Sequence, residues 1–122
     1  MKRILVIEDN AVAANLYRTA LVSAGYDVSV ATDGESGLAA AAQRQPDLVL
    51  LDLMLPKIAG LEVLRKIRAT PELAKVPVMV TSNAYTGPRL DELRDAGATQ
   101  ILTKAKISPK ELAKVVSDTI GV

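Results

Sequence analysis

Pro46-Asp47-Leu48-Val49-Leu50-Leu51-Asp52-Leu53-Met54-Leu55-Pro56 sets four consecutive aliphatic residues between an entry proline and a carboxylate. A run that short, fenced by prolines, is a strand rather than a helix, because helices need ten or more residues and do not tolerate interior proline. Being apolar at every position, it shows no solvent face, which suits the middle of a parallel sheet covered by helices on both sides. Ile4-Leu5-Val6-Ile7 has the same character, and so does the stretch around Val78. Residues 3–8, 26–31, 47–51, 76–81 and 99–103 therefore read as five strands. The second alternates, Tyr26-Asp27-Val28-Ser29-Val30, as an edge strand does.

Helical spacing fills the intervals. Ala13, Leu16, Tyr17, Ala20, Leu21 and Ala24 mark a first helix closed by Gly25, and Asp33 caps a second that ends before Pro46. Gly60, Val63, Leu64 and Ile67 mark a third, and Leu90 and Leu93 a fourth that ends near Gly97. The fifth has the clearest start, with Ser108 as N-cap, Pro109 in the first turn and Glu111 completing a capping box. Parallel strands need helical crossovers, so five βα units in 122 residues predict one doubly wound α/β domain over residues 1–122.

Composition narrows the chemistry. Hydrophobic residues make up 49% of the chain, yet Phe and Trp are absent and Tyr occurs three times, which argues against stacking on nucleic-acid bases. A net charge of +1 gives no one-sided field for nucleic acid or a membrane surface. The opening apolar run is too short for a membrane span or a signal peptide, so a cytoplasmic location with no membrane insertion is expected. With no Cys and no His, thiol nucleophiles, zinc-thiolate sites and imidazole bases are excluded. Carboxylates, hydroxyls and lysines remain, and any metal is expected to be a hard, oxygen-binding one.

Ligands of open parallel sheets collect beyond the carboxyl ends of the strands. Glu8 and Asp9 follow the first strand, Asp52 the third, Thr81 and Ser82 the fourth and Lys104 the fifth. Three carboxylates at one edge repel one another unless a divalent cation joins them, and Mg²⁺ is the expected ion. A hydroxyl and an ammonium beside that ion suit the oxygens of a phosphoryl group, and Asp52, on a central strand, is the natural acceptor. Glu8 and Asp9 fall at the flank, as metal ligands.

In that order and spacing, Ile4 to Asn10, Pro46 to Pro56 with Gly60, Val76 to Thr81, and Gly97-Ala98 ahead of Lys104 resemble the response-regulator receiver domain, the phosphoacceptor of two-component signalling. The resemblance covers essentially the whole chain. It implies a flavodoxin-like fold with strand order 2-1-3-4-5 and Asp52 as phosphoacceptor. It further implies Asp9 as a direct Mg²⁺ ligand, Glu8 as a ligand through water, and the Met54 backbone carbonyl as another. Thr81 and Lys104 would bind the phosphoryl group, while Met54 and Asn83 fall where the family tunes dephosphorylation. The implied donor is a phosphohistidine on a sensor histidine kinase or histidine phosphotransfer protein, and the implied output is altered binding to a downstream protein.

Two positions depart from the family pattern. Ala105 stands where proline usually follows the lysine, and a cis bond there would cost roughly 2.5–4 kcal/mol, so a trans bond is expected. Ile101 stands at the position of the switch aromatic, and residues 82–88 read as an irregular loop. These departures motivate an alternative, a constitutive interaction scaffold that keeps the site but not the switching. An enzyme of the haloacid-dehalogenase kind would carry a second Asp two residues after the nucleophile, where this chain has Met54, so that reading ranks low; the chain reads as a phosphoacceptor switch that at most catalyses its own phosphorylation and dephosphorylation at Asp52. A flavin carrier is disfavoured because Glu8-Asp9-Asn10 would face the nucleotide phosphate.

Overall fold

The structure, a computed structural model, describes residues 1–55, 58–82 and 87–122, with 87–89 described by backbone only. Pro56 and Asn83, and the Arg89 side chain, lie outside the described residues. Five strands, β1 (Arg3–Ile7), β2 (Asp27–Ala31), β3 (Leu48–Asp52), β4 (Val78–Ser82) and β5 (Gln100–Thr103), form one parallel sheet in the order β2-β1-β3-β4-β5. Helices α1 (Ala11–Ser23), α2 (Gly34–Arg44), α3 (Gly60–Ala69), α4 (Gly87–Asp95) and α5 (Pro109–Ile120) alternate with the strands. The fold is the flavodoxin-like arrangement expected from the resemblance.

Every residue of β3 and β4 is buried, and β1 is buried after Arg3, whereas β2 and β5 keep partly exposed positions at the two edges. Side chains alternate across each strand, and the alternation divides the core. Leu5, Ile7, Val49, Leu51, Val78 and Val80 meet Val63, Leu64 and Ile67 of α3. Ile4, Val6, Leu48, Leu50 and Met79 meet Tyr17 and Leu21 of α1 and Leu112 and Val116 of α5. Each fully buried aliphatic side chain contributes roughly 1.5–3 kcal/mol relative to an exposed one, so both layers are needed.

Local signals fix the helix ends. Asp33 Oδ1 accepts from Ser36 N at 2.8 Å, and the Ser108–Glu111 capping box is complete. Gly25 closes α1 at φ +103°. Strand limits moved by one or two residues from those read in the sequence. β4 begins at Val78 rather than residue 76 because Pro77 has no N–H to donate, although its carbonyl still accepts from Val49 N at 2.9 Å. At its other end β4 runs one residue further than read, so Ser82 as well as Thr81 lies inside it. Of residues 82–88, read as a loop, Ser82 ends β4 and Gly87 and Pro88 open α4. Two 3₁₀ turns that carry no periodic signal, Pro71–Leu73 and Lys104–Lys106, follow α3 and β5. No described peptide bond is cis, so Lys104-Ala105 is trans as expected.

Candidate functional site

The alternation that divides the core also gathers the site. Ile4, Val6 and Glu8 share one face of the sheet, and so do Leu48, Leu50 and Asp52, and Met79 and Thr81. Ile7 pairs with Leu51, Asp52 with Thr81, and Thr81 with Leu102, so the carboxyl ends of β1, β3, β4 and β5 fall level. Lys104, two residues beyond Leu102, opens the 3₁₀ turn on the same side. Glu8, Asp52 and Thr81 are 1%, 4% and 1% exposed. Of the acidic trio, Glu8 and Asp52 are buried and Asp9 alone faces solvent.

The Lys104 ammonium joins the two buried carboxylates. It forms a close ion pair with Glu8 Oε1 and lies 3.3 Å from Asp52 Oδ2. The other oxygens are held by backbone, since Glu8 Oε2 accepts from Asn10 N at 3.2 Å and Asp52 Oδ1 from Met54 N at 3.1 Å. Burial, and then the neighbouring Asp52, push the Glu8 pKa up, while Lys104 and the Asn10 N–H pull it back. Burial alone would lower Lys104, but the Glu8 and Asp52 carboxylates outweigh it and hold the ammonium above its ordinary range.

One oxygen from each of Glu8, Asp9 and Asp52 lies within 4.8 Å of the others. Glu8 Oε1 is buried and takes no conventional hydrogen bond from the described residues, so only the ammonium answers its charge. An all-oxygen, carboxylate-rich donor set, one of whose buried oxygens is answered by the ammonium alone, fits a hard divalent cation such as Mg²⁺.

Gly60, at the start of α3, forms the floor beside Asp52. A Cβ there would come within 2.6 Å of Leu53 Cα and 2.7 Å of the Asp52 and Leu53 carbonyl oxygens, so only glycine lets α3 approach the end of β3 this closely. Asn10 was missed as a site residue by sequence reasoning. Its side chain caps α1 by accepting from Ala13 N at 2.9 Å, and its own N–H steadies Glu8. An Asn immediately before a helical pattern is the signal that would have found it. Ile101 is partly buried against the core, Ala105 is exposed, and Met54 is 64% exposed. Asp91, Glu92 and Arg94 of α4 are solvent-facing.

Among the described residues, no helix is long and apolar enough to cross a membrane. Residues 4–117 match the family model described as the response regulator receiver domain. The DNA-binding dual master transcriptional regulator RpaA of Synechocystis is 41% identical over 117 residues, covering 94% of this chain and 48% of its own length. The chain thus spans about half of that relative. The chemotaxis protein CheY4 of Vibrio cholerae superposes with a TM-score of 0.91 at 25% identity over 97% of this chain and 98% of its own. The receiver domain of the sensor histidine kinase PA1611 of Pseudomonas aeruginosa, with a magnesium ion coordinated in its active site cleft, superposes with a TM-score of 0.88 at 28% identity over 99% and 98%. Fold, acidic cluster and sequence match agree, and the chain belongs to the response regulator receiver domain family of two-component signalling.

Proposed function

We propose that this chain is a Mg²⁺-dependent phosphorylation switch in which Asp52 accepts a phosphoryl group from a phosphohistidine of a sensor kinase or phosphotransfer protein. The observation that carries the reading is the convergence of Glu8, Asp9 and Asp52 oxygens within 4.8 Å, with the Lys104 ammonium 3.3 Å from Asp52. Receiver domains as a class are phosphoacceptor switches rather than conventional enzymes, and they bind Mg²⁺ in an acidic pocket. Here Asp9, Asp52 and the Met54 carbonyl would hold the ion, with Glu8 acting through water. The ion would neutralise charge on the transferring group.

An Asp52 carboxylate oxygen attacks phosphorus, the P–O bond forms as the P–N bond to the donor histidine breaks, and the electron pair stays on the imidazole, which takes up a proton. Lys104 is tethered to Glu8 and Asp52 before transfer, and the incoming phosphoryl oxygens offer it a stronger partner. Thr81, paired with Asp52 across the β3–β4 ladder, supplies a hydroxyl to the same group. Transfer then biases the binding of a downstream protein from a cytoplasmic module spanning residues 1–122.

The test is intact mass after incubation with Mg²⁺ and acetyl phosphate, for wild type and Asp52→Asn. A labile gain of one phosphoryl group in wild type only is expected. No gain with acetyl phosphate or with a phosphorylated histidine kinase would overturn the reading. Ile101, held partly in the core with no ring to swing, favours a second reading as a constitutive scaffold; partner affinity unchanged by full phosphorylation would establish it.

A further inference from the structure

Arg68 closes α3 at the end opposite the site, and its guanidinium is spent entirely on carbonyl oxygens. Nε and Nη2 donate to Gly97 O at 3.1 and 2.8 Å, and Nη1 donates to Val76 O at 2.6 Å. Longer bonds reach Leu73 O at 3.4 Å and Ala74 O at 3.3 Å. Among the described residues it makes no ion pair with a carboxylate. Burial pushes its pKa below the ordinary arginine range, the mark of a cation short of water.

This one side chain therefore ties the last turn of α3 to the approach to β4 and to the turn between α4 and β5. Gly97 has φ +105°, and a Cβ there would lie 2.7 Å from Arg68 Nε, so the turn is shaped around the guanidinium. The turn is also continuous with the sheet, because Thr99 N donates to Val78 O at 2.8 Å and Thr99 Oγ1 accepts from Val78 N at 3.0 Å.

The other end of α3 touches the acceptor. Gly60 N donates to Leu53 O at 3.1 Å, and its Cα rides against the Asp52 and Leu53 backbone too closely to admit a methyl group. Between the ends, Val63, Leu64 and Ile67 are fully buried, so the ten residues, about 15 Å of helix, are packed along their length as one element. A half-buried guanidinium without a counter-ion cannot cheaply give up its carbonyls. A displacement at Gly60 would thus be passed to Gly97 instead of being absorbed in the last turn.

We propose that α3 is a connecting rod that carries the state of Asp52 to the α4–β5 turn, with Gly60 at the acceptor end and Arg68 as the coupling. The proposal rests on phosphoryl uptake at Asp52, so the experiment reads uptake separately. Hydrogen exchange of the Gly97, Ala98 and Thr99 amides is measured with and without Mg²⁺ and acetyl phosphate in wild type, Arg68→Met and Arg68→Lys. Intact mass is followed in each sample. Phosphorylation is expected to change the exchange rates of these amides roughly threefold or more in wild type. Both variants should lose that response while gaining phosphoryl as wild type does. Arg68→Lys keeps the charge and loses the fork, so it serves if Arg68→Met does not fold. Fully phosphorylated wild type with unchanged exchange at the turn, or a response that survives either variant, overturns the rod. Absence of mass gain in wild type with both acetyl phosphate and a phosphorylated kinase overturns the acceptor reading first, and the rod falls with it.

Discussion

Lys104→Met should tighten Mg²⁺ binding while weakening the metal-free fold. The ammonium sits 3.3 Å from Asp52 Oδ2, an oxygen that the cation is expected to use. Mg²⁺ binds oxygen at about 2.1 Å, so an ion on that atom lies no more than about 5.4 Å from the ammonium. Charges of +2 and +1 at about 5.4 Å repel by roughly 1.5 kcal/mol even at the dielectric constant of bulk water, and by more in a partly buried site. Removing the ammonium should therefore lower the Mg²⁺ Kd by about tenfold or more. Without metal, the same variant leaves Glu8 and Asp52, 1% and 4% exposed, facing each other with no cation, and should lose about 3 kcal/mol of stability. The chain has no Trp, so calorimetric titration at low salt and pH 8 is the assay, with urea unfolding in chelator as the companion. An unchanged or weaker Mg²⁺ affinity would refute the argument, since it would mean that ion and ammonium do not compete for one oxygen.

Glu8 titrates above its ordinary 4.5 in the folded chain, chiefly because it is buried, so folding favours its protonated form. The stability this contributes is complete below pH 4.5 and is lost as pH rises through the raised value. In chelator, wild type minus Glu8→Gln should show stability falling with pH in the window above 4.5, and a difference rising with pH would be inconsistent with the shift. Gly60→Ala puts a methyl group within 2.6–2.7 Å of backbone that cannot rotate away. A net loss of about 1–3 kcal/mol in urea unfolding should follow despite the better helix propensity of alanine, and a gain would show that α3 moves aside freely. Tyr26→Phe removes the hydroxyl that donates to Gly121 O at 2.6 Å from a side chain 2% exposed. It should cost about 1 kcal/mol by the same measurement, and no change would mean that water replaces the bond.

What could be read from the chain follows from which interactions are local. β1 and β3 were legible because a strand covered on both faces must be apolar throughout, and Asp52 was legible because a carboxylate ending such a strand needs a reason to be there. The start of β4 was misplaced because apolar pattern does not register the missing N–H of Pro77. Asp33 and Ser108 announced their helices because a cap acts over three residues. Arg68 announced nothing. An arginine in the last turn of a helix ordinarily reads as a solvated partner of the helix dipole, and its four carbonyl acceptors lie in two separate segments, residues 73–76 and Gly97. Gly60 was visible as part of a motif, but its necessity lies in the approach of α3 to β3, which no single segment encodes.

The pairing of Lys104 with Glu8 separates what residue types imply from what energy decides. Sequence order brings Glu8, Asp9, Asp52 and Lys104 to one edge and leaves open which carboxylate the ammonium prefers. Desolvation settles it: Asp9 faces water and gains little from a partner, whereas Glu8 at 1% exposure has lost nearly all of its hydration. The resting site is thus held together by a lysine bound where it stabilises the fold most. Any cation, and any phosphoryl group on Asp52, must draw that lysine away from Glu8 or share its oxygens. The same contact that stabilises the buried end of β1 is therefore the one that occupancy of the site has to loosen.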